Sequence, residues 1–235
     1  PSDGCVFVDA DYSQIELRVL AHIADDQTMQ EAFHSGTDIH TATAAQVFGV
    51  EPEQVTPLMR RHAKAVNFGI VYGISEFSLA DDIGVTRKEA EQYINDYLAH
   101  FSGVDDYMRR TVEEAREKGY AETIFGRRRY LPELTSGNFN MRSFGERVAR
   151  NMPIQGAAAD IIKIAMIRVD HRLRAEGLQA RLILQVHDEL IVECPEEEAG
   201  RVSALLTEEM ENAVHLSVPM VAEAKVGRTW YEAKA

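Results

Sequence analysis

The 235 residues, 45% of them hydrophobic, are enough to bury a core in one large domain or two modest ones. Cys5 and Cys194 are the only cysteines, no charged-apolar-small leader opens at Pro1, and no apolar run approaches the roughly 20 residues of a bilayer span. Nothing therefore suggests a disulfide framework or secretion, a helical membrane span is excluded, and a soluble chain in a reducing intracellular compartment is expected. The net charge of −13 argues against a surface that coats itself with nucleic acid, without excluding a local basic groove. Acid gathers in Glu196, Glu197, Glu198, Glu208, Glu209 and Glu211, whereas Arg60, Arg61, Lys64, Arg127, Arg128, Arg129, Arg142, Arg147 and Arg150 cluster mid-chain. A one-sided cleft and a set of solvated faces both produce that asymmetry.

Cys5 to Asp11, CVFVDAD, is rich in β-branched and aromatic residues and predicts a buried strand with Phe7, Asp9 and Asp11 on one side. Ser13 then opens a helix through His22, and Ser13-x-x-Glu16 predicts a capping box in which Glu16 returns to the cap amide. Asp11 falls at the strand-to-helix corner. From Asp25 to Phe101 the pattern is helical, punctuated by Gly36, Gly49, Pro52, Pro57, Gly73 and Gly84. His40 lies near a helix start, where backbone amides favour an anion, although a lone histidine there is equally an ordinary packed residue. Thr56 before Pro57 caps the next helix, and Thr86 with Glu89 predicts a further capping box.

Within RRHAKAVNFGIVYG, Arg60 to Gly73, the residues Arg60, Lys64, Phe68 and Tyr72 recur every fourth position on one stripe. Ala63, Val66 and Ile70 fall opposite, where they would dock the helix. Two cations followed by two aromatics suit a ligand with phosphates at one end and a flat ring at the other, and they equally suit a decorated surface helix.

Val104 to Lys118 predicts a charged amphipathic helix, and Tyr120 to Leu131 a hairpin carrying Arg127, Arg128 and Arg129. Phe139 to Asn151 predicts a helix whose ladder Pro153 would kink or interrupt, and Ala157 to Leu173 predicts a long core helix. Across that proline Arg147, Asn151 and Gln155 are spaced by four; aligned, they would offer donors to the minor-groove acceptors shared by all base pairs. Arg181 to Glu193 predicts a hairpin of two buried apolar arms with His187, Asp188 and Glu189 exposed at its tip. An acidic helix over Glu196 to His215 and a last strand over Pro219 to Val226 close the pattern.

Asp11 and Asp188 thus end separate strand elements. If those strands are neighbours in one sheet, the pair could share two divalent ions of the kind that clamp the attacking and leaving oxygens of an in-line displacement. Hard Mg²⁺, bound by one or two carboxylates plus substrate phosphates, suits so sparse a ligand set.

DYSQIELR from Asp11, RRHAKAVNFGIVYG from Arg60 and VHDE from Val186 resemble, in order, the three polymerase motifs of bacterial family A DNA polymerases, and the resemblance runs from about Cys5 to Tyr231. It implies an α+β fold: a palm with an antiparallel sheet backed by helices, over 1–21 and 136–235, and an inserted helical fingers subdomain over 22–135. The family's thumb, exonuclease-like domain and first part of the palm are not in this sequence. The implied activity is template-directed addition of a dNTP to a primer 3′-OH with release of pyrophosphate.

By the same resemblance Asp11 and Asp188, helped by the Tyr12 carbonyl, hold two Mg²⁺ ions, replaceable by Mn²⁺, with Glu189 as a supporting carboxylate. Arg60, Lys64 and His40 grip the triphosphate, and Lys64 also protonates the departing pyrophosphate. Phe68 packs on sugar and base, and Tyr72 lies beside the nascent pair. Glu16 resembles the steric gate against a ribose 2′-OH, which makes its capping role secondary. Gln14 matches a position at the incoming nucleotide, and Arg147, Asn151, Gln155 and His187 match positions on primer or template. The implied partners are primer-template DNA, dNTP and the upstream polymerase region, for a monomer in the bacterial cytoplasm, at the nucleoid, with no membrane partner. Without that upstream region, weak or no synthesis is expected. Two other readings are a single-subunit RNA polymerase relative, which Glu16 and Phe68 disfavour, and a non-catalytic nucleic-acid-binding module.

Overall fold

The computed structural model describes residues 1–234. In chain order the elements are β1 (Cys5–Tyr12), α1 (Ile15–Ile23), α2 (Gln27–His34), α3 (Ile39–Phe48), α4 (Pro57–Tyr72), α5 (Glu76–Ile83), α6 (Arg87–His100) and α7 (Ser102–Lys118). They are followed by β2 (Tyr120–Glu122), β3 (Arg128–Tyr130), α8 (Phe139–Ala175), β4 (Arg181–Val186), β5 (Glu189–Pro195), α9 (Ala199–Glu211), β6 (Ala222–Gly227) and α10 (Trp230–Lys234). The fold is α+β. Contacts divide it into two compact units, Pro1–Ile15 with Ala158–Ala235, and Glu16–Ala157. Among the described residues no helix is long and apolar enough to cross a membrane.

The first unit is built on an antiparallel sheet of order β4-β5-β1-β6. Alternation along β1 sends Val6, Val8, Ala10 and Tyr12 to a buried face, against which α9 packs. The Tyr12 hydroxyl donates to the Met210 carbonyl at 2.6 Å and fixes that packing. Phe7, Asp9 and Asp11 share the opposite face, as their spacing predicts. The ladder sets Asp11 opposite Glu189 on β5 and opposite Glu223 on β6.

Two expectations for the β4–β5 hairpin are corrected. Only β5 is a buried arm: β4 is the outer strand, with one edge unpaired, and Ile183 and Leu184 are exposed. Nor does Glu189 sit at the exposed tip. It is the first residue of β5 and only 1% exposed, because pairing with Asp11 draws it into the sheet.

The second unit is helical apart from the β2–β3 hairpin, which forms where it is expected. Capping chemistry sets its helix ends. Thr56 accepts from the Met59 amide with Pro57 in the first turn, Thr86 and Glu89 close their box, and Asp26 accepts from Met29 N while also holding Gly103 N at 2.9 Å. Helix α4 docks through Ala63, Val66 and Ile70 as predicted, and through Asn67, Gly69 and Val71 as well. Val112, Ala115, Ala121, Leu131, Leu134 and Ala149 make a core joining α7, the hairpin and α8.

Of the kink or interruption expected at Pro153, the interruption does not occur: α8 runs through it as one helix of 37 residues. Proline removes one ladder hydrogen bond, but Ala149, Ile154 and Ala157 are fully buried on either side of it. Packing therefore holds the helix through the defect.

Candidate active site

The chemistry-bearing residues form two groups, one in each unit. In the first, β1 and β5 end together. The Tyr12 amide donates to the Asp188 carbonyl at 3.2 Å, one step beyond the rung on which Asp11 faces Glu189. The turn between β4 and β5 is tight: His187 takes a left-handed φ of 50°, and Gln185 Nε2 braces its carbonyl at 2.7 Å. Gln14, at φ 56°, makes the equivalent sharp corner after β1, where Ser13 N donates to the Val221 carbonyl at 2.9 Å. The Tyr12 phenol points to the core, which leaves its backbone as the group next to Asp11.

Electrostatics at this end are strained. Partial burial, then the Asp188 and Glu189 carboxylates, push Asp11 up to about 6. Asp9, 4% exposed, is likewise raised to about 6 by burial and by Glu189. One oxygen of each of Asp9 and Glu189, Oδ1 and Oε1, is buried without a hydrogen-bond partner. The other oxygens are taken by α10: Trp230 Nε1 donates to Asp9 Oδ2 at 3.1 Å, and Lys234 Nζ donates to Glu189 Oε2.

No group of three or more His, Cys, Asp and Glu side chains among the described residues has a metal-holding arrangement. The expected set is sparser, two carboxylates and a carbonyl. Clustered hard oxygens, on which burial and then the neighbouring carboxylates already disfavour an uncompensated charge at Asp11, are the donors Mg²⁺ takes, so the residues fit that ion.

In the second group, the stripe on α4 forms as predicted. Lys64 Nζ lies 5.9 Å from the Phe68 ring centroid, and the Phe68 and Tyr72 rings stack at 6.5 Å with 17° between their planes. Arg60 is held by a two-pronged contact with Asp38, 2.7 Å from Nε to Oδ2 and 3.1 Å from Nη2 to Oδ1. Burial would raise Asp38, but bonds from Arg60 and Thr41 outweigh it and hold the carboxyl well below its usual range. His40 is 3% exposed, and its ring lies 5.8 Å from that of Phe68. The Asn67 amide, itself paired with Thr43, can only donate to His40 Nδ1 at 3.1 Å, so the ring proton sits on Nε2. Burial, with Arg60 and Lys64 nearby, presses His40 down to about 4 against the pull of Asp38, so the ring is neutral at pH 7.

The capping box expected at Ser13 is overturned. Glu16 Oε2 accepts from the Tyr72 hydroxyl at 3.0 Å and Oε1 from Gln155 Nε2 at 3.3 Å, while the Ser13 amide is engaged by Val221. Unbroken α8 brings Arg147, Asn151 and Gln155 onto one face, around a cavity of about 700 Å³ that Tyr72, Arg127, Arg128 and Arg129 also line. Gly73 ends α4 at φ 67°, and a Cβ there would press on Arg147 Cγ at 3.1 Å. Asp9, Asp38, Asn67, Trp230 and Lys234 were not among the residues expected at the site. Asp9 shares the period-two pattern with Asp11, which is the one sequence signal that pointed to any of them.

The model of DNA polymerase family A matches residues 1–232, and the chain belongs to that family. DNA polymerase I of Geobacillus stearothermophilus is 61% identical over 232 residues, covering 99% of this chain and 26% of the relative. DNA polymerase I of Bacillus subtilis is 57% identical over 232 residues, again 99% of this chain and 26% of the relative. The chain therefore spans about a quarter of the length of these relatives. The solved POL domain of Pol1 from M. smegmatis, in complex with DNA primer-template and dNTP, is similar with a TM-score of 0.94 and 46% identity, over 98% of this chain and 41% of that one.

Proposed function

We propose that the chain carries out the chemical step of template-directed DNA synthesis, transferring a nucleotidyl group from a dNTP to a primer 3′-OH with release of pyrophosphate. The observation that carries this reading is the pairing of β1 with β5, in which Asp11 faces Glu189 and the next residue, Tyr12, bonds the Asp188 carbonyl, so the three carboxylate residues meet at one end of the sheet. In this reading the unit Pro1–Ile15 with Ala158–Ala235 is the greater part of a palm extending over 1–21 and 136–235, and 22–135 is the fingers.

Asp11, Asp188 and the Tyr12 carbonyl would hold two Mg²⁺ ions, which Mn²⁺ could replace. When bound, the ions stabilise charge on the attacking and leaving oxygens. Arg60 and Lys64 bind the triphosphate, and neutral His40 adds an Nε2–H donor. Lys64 returns a proton to the leaving pyrophosphate. Phe68 and Tyr72 give the base and sugar a flat wall. Glu16, oriented by Tyr72 and Gln155, excludes a 2′-OH, and Gln14 borders the incoming nucleotide. Arg147, Asn151 and Gln155 donate to minor-groove acceptors common to every base pair, and His187 meets the primer.

Because the chain spans about a quarter of its relatives, the isolated 235 residues hold primer-template weakly and extend it poorly, and fusion to the upstream region of a relative restores synthesis. Primer extension with each form, and with Asp11→Ala in the fusion, tests both parts. Robust extension by the isolated chain would refute the first, and an active Asp11→Ala fusion would refute the two-ion reading.

A further inference from the structure

The sheet face that carries Asp9, Asp11 and Glu189 is touched by α10, and two side chains of that helix hold its carboxylates. Trp230 bonds Asp9 and Lys234 bonds Glu189, while the Lys234 ammonium lies 5.8 Å from the Trp230 ring centroid, so the two side chains brace each other. The docking is close. Gly227 on β6 has no Cβ, and one added there would collide with the backbone nitrogen of Ala233. Lys225, opposite Asp9 in the β1–β6 ladder, is the other lysine on this face.

Glu189 is buried, faces Asp11 across the ladder and follows Asp188 directly. Like charges opposite one another destabilise a sheet, and a buried carboxylate stripped of its partner costs far more than an exposed one. Lys234 is in contact with Glu189, and its charge also acts on Asp11 and Asp9.

We propose that Lys234 is a positioning residue that acts as a built-in counter-cation: it holds Glu189 back from Asp11 and Asp188 and offsets part of their charge. The strand ends then keep their shape before ions arrive, and divalent affinity is set below what the carboxylates alone would give. The inference rests on reading Asp11 and Asp188 as ion ligands. Removing the ammonium has two effects. Without divalent ions the chain is less stable, since buried Glu189 loses its contacting cation and its neighbours lose a compensating charge. With them, binding tightens, because a competing positive charge is gone and Glu189 is released toward the ions. A lysine with a merely structural role would show the first effect and not the second.

The test uses the whole chain with Lys234→Met, Lys234→Arg, Glu189→Gln and the Glu189→Gln/Lys234→Met double variant, reading melting temperature with and without MnCl₂ and the Mn²⁺ dissociation constant by electron paramagnetic resonance. Lys234→Met should melt several degrees lower without Mn²⁺, bind it about three- to tenfold more tightly, and regain most of the lost stability at saturation. Lys234→Arg should match the wild type in both readouts. In the Glu189→Gln background the Lys234→Met change should have a smaller effect on melting, and that pair remains informative if Lys234→Met alone does not fold. Equal Mn²⁺ dissociation constants in wild type, Lys234→Met and Lys234→Arg would overturn the inference and leave the two-ion reading standing. Absence of Mn²⁺ binding in wild type and Lys234→Met alike would overturn the two-ion reading itself, and the inference with it.

Discussion

The Tyr72 hydroxyl donates a 3.0 Å hydrogen bond to Oε2 of Glu16, tying the end of the cation-aromatic stripe to a carboxylate 56 residues earlier in the chain. With Gln155 on its other oxygen, Glu16 has a donor on each oxygen and a fixed direction. Tyr72→Phe removes one donor and leaves the ring. In an extension-competent fusion it should lower the kcat/KM preference for dNTP over rNTP by about tenfold, the worth of one hydrogen bond to a charged group. Glu16→Ala should lower it further. An unchanged preference in Glu16→Ala would remove the gate.

The fork between Arg60 and Asp38 competes with any phosphate for the same guanidinium. Asp38 also caps α3 through Thr41 N at 3.0 Å, so alanine there would confound two losses. Asp38→Asn keeps a capping oxygen and drops the charge. It should lower KM for dNTP by about three- to tenfold at low salt and less at high salt, whereas Arg60→Ala should raise it. Steady-state kinetics at two ionic strengths decide this.

His40 makes acid sensitivity measurable. Its folded value near 4 lies below the unfolded 6.5, so between those limits the unfolded chain binds the extra proton. Stability from this group is complete above about pH 6.5 and is lost as pH falls, by about 2 to 3 kcal/mol at pH 4. Urea denaturation of His40→Gln over this range should show a correspondingly shallower slope than the wild type.

Lys64 is exposed, leans on Phe68 and has no ion pair among the described residues, which suits the proton transfer proposed for it. Lys64→Ala should cost about 100-fold or more in kcat if it stabilises transition-state charge. A change confined to KM would mean that it only binds substrate.

Much of this was legible because it is local. Thr56, Pro57 and Gly73 mark the ends of α4, and a repeat of four puts Arg60, Lys64, Phe68 and Tyr72 on one stripe, so the helix could be drawn from adjacent residues alone. The errors came where a distant residue outbid a local rule. Ser13-x-x-Glu16 satisfies the capping pattern, but Gln155 lies 139 positions from Glu16 and leaves no mark near it. Pro153 signals a break that buried Ala149 and Ile154 prevent. Asp9 looked like an ordinary strand residue because its partner, Trp230, is 221 positions away on a five-residue helix too short to show a period.

The alternation in β1 makes parity the quantity the strand must preserve. Its odd positions carry Asp9 and Asp11, and its even positions carry Val8, Ala10 and Tyr12 into the core. Losing a single residue ahead of Asp9 would exchange the two roles, sending carboxylates beneath α9 and apolar side chains to the open face. Losing two would shorten the strand and leave every side chain on its proper side. Substitution at an even position is a packing problem that neighbours can absorb, but a one-residue insertion or deletion is an error in the count that takes a bulge, like the register shift between Leu182 and Leu184 in β4, to correct.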